Sequence, residues 1–150
     1  MQAAFLARVM VTALSAGQGV SPLFIDLNRT HATNPKWLGH ARFHVVWQTF
    51  TATFGAAATV ALIWWAGPGE SRRFYFAALL TAIPLAGFLV ALCSRRLYGG
   101  TLHDPNGIPP IHIRAKGKVF EVDLNALIVA VAMVLLGVAV AVFLRVNTAR

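Results

Sequence analysis

Acidic side chains are nearly missing from this chain: five Asp and Glu stand against 13 Lys and Arg in 150 residues. There is one cysteine, Cys93, so no intrachain disulfide forms and the compartment cannot be read from thiols. No phosphate-binding glycine loop, dinucleotide fingerprint, nucleophile elbow or C-x-x-C pair occurs, which leaves nucleotide chemistry and ordinary hydrolase chemistry without support. Charge of either sign is absent from long stretches, and no carboxylate falls within an apolar run. Ion pathways through membranes usually carry one, so a transporter or channel is disfavoured.

What fills the chain instead is apolar. Hydrophobic residues make up 57%, charged residues 12%, and the mean hydropathy is +0.65. The apolar residues fall into runs of the roughly 20 residues that cross a bilayer as a helix. Leu124–Leu144 ("LNALIVAVAMVLLGVAVAVFL") and Phe74–Cys93 are the clearest, followed by His44–Ala66. Phe5–Ile25 is interrupted by Arg8, Gln18, two glycines and Pro22. A cleaved signal segment is the alternative for that first run, although "SAGQG" breaks the clean apolar core such segments have. The expectation is an all-α, integral membrane four-helix bundle forming a single domain.

Four spans place the 26–43 and 94–123 loops on one side. That side holds eight Lys or Arg and the terminal side five, which points the loops to the cytoplasm by a narrow margin. The net charge of +8 is spread over short segments flanking the spans. Its expected partners are the bilayer and its anionic headgroups, and nucleic acid is not expected.

Within the long loop, Asp104-Pro105-Asn106-Gly107 is a turn signal. Ile111–Ile113 and Lys118–Val122 alternate around "RAKGK", predicting a small hairpin that caps the helix ends. Asp123 precedes the last span, where a carboxylate suits the N-cap. Mid-span Gln18 needs a partner inside the bundle, and Gly17 and Gly19 let a neighbouring helix come close.

The densest polar segment is "NRTHATNPKWLGHARFH", residues 28–44, with three of the five histidines. Asn34-Pro35 reads as an N-cap followed by proline, so helix 2 is expected to start near residue 35. Trp37, His40, His44 and Trp47 would then share one face. His40 and His44, at i and i+4, have the spacing that lets two imidazoles reach one ion. With His31 and His103, and Asp26 or Asp104 as carboxylate, they form a candidate zinc or iron site. Membrane di-iron enzymes use more histidines than the five here.

The metal-free reading assigns acid–base chemistry to Asp26, His31, His40, Arg42 and His44. The bland reading makes His and Trp interfacial anchors and Asp26 an exposed carboxylate. Asp26 ends a helix, where the macrodipole opposes it, so Arg29 or Arg42 is its expected partner.

The segment resembles the signature of a small, functionally uncharacterised family of four-span membrane proteins. The pattern N-x-T-H-x-x-N-P-x-W-x-x-H-A-R-F-H is matched by Asn28, Thr30, His31, Asn34, Pro35, Trp37, His40, Ala41, Arg42, Phe43 and His44. The resemblance implies the four-span layout and a role for the segment beyond anchoring, but no activity or cofactor. Two functions follow as expectations. One is an enzyme or binding protein for a lipophilic small molecule entering from the bilayer. The other is a non-enzymatic accessory subunit, docked on a protein partner or a second copy of itself.

Overall fold

The computed structural model describes residues 2–103 and 109–148. Four helices carry the chain: α1 (Gln2–Ile25), α2 (Gly39–Trp64), α3 (Glu70–Ser94) and α4 (Leu124–Thr148). Each is long and apolar enough to cross a membrane, so the protein is a multi-pass membrane protein of the all-α class. One turn of 3-10 helix follows α3 at Arg95–Leu97. A hairpin, β1 (Ile111–Ala115) and β2 (Lys118–Val122), precedes α4.

The helices close in the order α1-α2-α3-α4, with α1 against both α2 and α4 and a lighter diagonal contact to α3. Small residues permit this. The buried positions of α1 are Ala4, Ala7, Val11, Ser15 and Gly19, one helical stripe with nothing larger than valine. At Gly19 an added Cβ would overlap Ala56 Cβ and lie 3.3 Å from Ala52 O. The approach brings Thr53 Oγ1 to donate to Gly19 O at 2.8 Å. Gln18 finds its partner across the bundle, donating from Nε2 to Thr81 O at 3.1 Å. Larger groups gather near the terminal end, where Phe74 stacks on Phe143 at 3.8 Å between centroids. Arg8, the charge that weakened the first run, is held there by Glu70 (3.3 Å), Ile63 O (2.7 Å) and the Trp64 ring.

Two sequence expectations change. Helix 2 starts at Gly39 and not near residue 35, because Leu38 is extended (φ −64°, ψ 150°). Asn34 forms a separate turn in which its Oδ1 accepts from Lys36 N (3.0 Å) and its carbonyl from Trp37 N (3.1 Å). The hairpin forms in the expected place, with Lys116 (φ 50°) and Gly117 (φ 73°) giving the two left-handed residues of a tight turn. It is not a cap, however, since all of β1 and all but Val122 of β2 are exposed. Asp123 does cap α4, accepting from Ala126 N at 3.1 Å. The 104–107 turn signal, and with it Asp104, lies outside the described residues.

Candidate functional site at the α1–α2 loop and the start of α2

Polar side chains between α1 and α2 are spent on one another and on the backbone. Asn28 Nδ2 donates to Phe24 O (2.8 Å) and its Oδ1 accepts from Thr30 N (2.8 Å), which fixes the amide's orientation. Thr30 Oγ1 lies 2.6 Å from that same Oδ1, an acceptor only, so the hydroxyl proton goes there. Toward His31 Nδ1, 2.8 Å away, the hydroxyl therefore offers a lone pair. His31 must carry its hydrogen on Nδ1, which leaves Nε2 as its free basic atom.

Asp26 Oδ1 stands 3.8 Å from the same Nδ1. Its partner is thus His31 and not Arg29 or Arg42. The chain turns back at once after α1, with Ala32 N donating to Asp26 O (2.9 Å), and this puts His31 within reach. Burial pushes the Asp26 carboxyl above its ordinary 3.8, and His31 pulls it partly back. A raised carboxyl favours the protonated form. Its contribution to stability is complete below pH 3.8 and is lost as pH rises through the folded-state value. Asp26→Asn should therefore melt higher than wild type at pH 7, with the difference closing toward pH 4. Thermal unfolding in detergent at both pH values checks this, and an equal or lower melting point at pH 7 contradicts it.

On α2, His40 and His44 meet each other. Their Nε2 atoms are 3.1 Å apart and their rings edge-to-face, with centroids at 4.5 Å. One Nε2 donates and the other accepts, so the two outer Nδ1 atoms present one acceptor and one donor. From this pair an aromatic stripe runs along the helix through Phe43, Trp47, Phe50 and Phe54, all exposed on the outer surface. His44 lies 5.7 Å from Trp47 and Phe50 lies 6.0 Å from Phe54, centroid to centroid. Arg42 is half-buried, and its Nε is enclosed without a hydrogen-bond partner.

The remaining imidazoles are elsewhere. His103 Nδ1 is 4.0 Å from Asp123 Oδ2, and His112 Nε2 is 3.2 Å from Glu121 Oε1. The expected set of His31, His40, His44 and His103 is thus divided among three separate pairs. Among the described residues no group of three His, Cys, Asp or Glu is placed to hold a metal ion. His40 and His44 alone offer two nitrogens at a separation suited to adjacent ligands of one zinc, about 3 Å for bonds of about 2.0–2.1 Å.

Sequence reasoning took Trp37 into the stripe, whereas it lies off the helix, edge-on to His31 at 5.3 Å. It missed Phe43, Phe50 and Phe54. The spacing 43, 47, 50, 54 was the available signal, a single helical face continuing the histidine pair into the bilayer. No protein-family model, curated protein or solved structure matches the chain.

Proposed function

We propose that the outer face of α2 binds a flat lipophilic molecule from the bilayer, with His40 and His44 holding its polar head. The observation that carries this reading is the imidazole pair at the end of an exposed aromatic stripe. Rings along a helix at lipid depth offer stacking surface to an aromatic or conjugated ligand. The pair supplies one N–H donor and one nitrogen acceptor, a match for a hydroxyl or enol next to a carbonyl. Because the two imidazoles share a hydrogen bond, a proton taken from the ligand at one ring can be passed to the other, which makes proton transfer the natural chemistry. The cytoplasmic side is proposed for this end from the basic-residue count alone.

A hydroxynaphthoquinone tests the reading in nanodiscs, using protein that keeps Trp47 while Trp37, Trp64 and Trp65 are phenylalanine. Trp47 quenching should saturate at micromolar probe. In His40→Ala/His44→Ala it should become the linear, unsaturable quenching of simple partitioning. Indistinguishable curves would sink the proposal.

The accessory-subunit reading rests on a different observation. The side chains of Asn28, Thr30 and Asn34 are each hydrogen-bonded to local partners, as a structural brace requires. Under that reading His40→Ala disturbs assembly of a larger complex and leaves probe binding untouched.

A further inference from the structure

The β1–β2 ribbon has two unlike faces. Pairing sets Ile111 opposite Val122 and Ile113 opposite Phe120, so these four apolar side chains share one face. The reverse face carries the His112–Glu121 pair, Arg114 and Val119. Ile111, Ile113 and Phe120 are 46%, 50% and 53% exposed and Val122 is half-buried, so among the described residues most of the apolar face stands open. Arg114, Lys116 and Lys118 cluster around the turn at the far end.

The ribbon's position follows from its tether. β2 ends at Val122 and α4 begins at Leu124, so only Asp123 separates the ribbon from a membrane-spanning helix. Asp123 is also committed as that helix's cap, which leaves little slack. A five-residue strand extends about 17 Å, so the whole ribbon stays within reach of the headgroup layer. A largely open apolar face beside a lipid surface, with cations at its free end, is the arrangement of an interfacial element.

We infer that the ribbon is a lipid-binding element lying on the bilayer. Its Ile111, Ile113, Phe120 and Val122 face is sunk to the acyl boundary, and Lys116 at the turn and Lys118 on the same face lie against anionic headgroup phosphates. Lys118 shares the apolar face at the turn end, where its long stem can follow the apolar side chains while the ammonium reaches a phosphate. Positive charge within a Debye length of an anionic leaflet is attracted to it, so ribbon docking depends on lipid composition. This inference is independent of the α2 stripe, and either can fail without the other.

The test uses the full chain in vesicles, in a Cys93→Ala background that removes the only native thiol. Single cysteines at 113, 120 and 119 carry a nitrobenzoxadiazole label, read with a doxyl-labelled lipid quencher and with aqueous iodide. Position 113 keeps the Phe120 ring in place, and 119 reports the reverse face without loss of a charge. Labels at 113 and 120 should be quenched by the doxyl lipid at least about threefold more than at 119, with iodide giving the opposite order. The contrast should be larger in vesicles with one-third phosphatidylglycerol than in pure phosphatidylcholine. Equal lipid quenching on the two faces overturns the inference. So does protection from iodide without lipid quenching, which is what a protein partner would produce. A contrast unaffected by phosphatidylglycerol overturns the headgroup contact.

Discussion

Gly19→Ala should destabilise the bundle by about 2–3 kcal/mol, one of the largest effects of any single-methyl change in the protein. The added Cβ would overlap Ala56 Cβ, an atom fixed to the α2 backbone that cannot swing aside, with Ala52 O and Thr53 Cα each 3.3 Å away. Relief requires α1 and α2 to separate, which also lengthens the 2.8 Å bond from Thr53 Oγ1 to Gly19 O. The neighbouring glycines provide the control, because a Cβ at Gly17 or Gly55 meets nothing within 4 Å. Alanine there should be neutral or slightly stabilising through its better helix propensity. Unfolding by SDS titration in mixed micelles reads all three. The double variant Gly19→Ala/Ala56→Gly moves the methyl from one helix to the other and should recover most of the loss. Additive losses in the double variant would mean that Gly19 acts through backbone flexibility and not through close approach.

Why the bundle was legible from sequence, while its polar end was less so, has a physical basis. Run length alone specifies a membrane helix, because backbone polar groups in lipid must be satisfied internally. The uncharged run at 124–144 therefore had one outcome. The hairpin was equally local: period-two alternation around Lys116-Gly117 demands left-handed residues there, and both have positive φ. Asn34-Pro35 was a local signal of the same quality but had a competitor. Its amide is taken by Thr30 O and Lys36 N, and its 31–37 neighbourhood is fixed by Trp37 against His31, so the helix waits until Gly39.

The histidines illustrate a second limit. Spacing of i and i+4 gave the His40–His44 contact directly. Whether His31 and His103 would join that pair depended on where two loops run, which no spacing rule contains. Scarcity of acid supplies a rationale after the fact. Among the described residues Asp26, Asp123 and Glu121 each stand beside one imidazole, while Glu70 is taken by Arg8. His40 and His44 are the two imidazoles without a carboxylate partner there, and they share their proton with each other. Among the described residues this is thus the one pair of histidines bonded to each other and not to a carboxylate.

Asn34→Ala should cost about 2–3 kcal/mol and loosen the whole 28–38 segment. Asn34 is 1% exposed, the most enclosed polar side chain at this end of the protein. Its Nδ2 donates to Thr30 O at 3.0 Å and its Oδ1 accepts from Lys36 N at 3.0 Å, so one amide ties the turn on its left to the turn on its right. Alanine removes both part-buried bonds at once and empties the enclosed space that the Asn34 amide fills. Asn34→Asp keeps the acceptor for Lys36 N and loses the donor to Thr30 O, while adding a charge that burial penalises. It should be as damaging as alanine at pH 7 and milder when protonated near pH 4. Trp37 reports the local event, because its ring rests edge-on against His31 at 5.3 Å and should move into a wetter setting when the brace opens. A red shift of Trp37 emission is expected in protein where Trp47, Trp64 and Trp65 are phenylalanine. Since the His40–His44 pair is carried by α2 and not by the loop, saturable quenching of Trp47 by the probe, read in the separate protein that keeps Trp47 as its one tryptophan, should survive Asn34→Ala. Loss of both together would place the loop and the pair in a single site, extending the binding surface from α2 to Asp26 and His31.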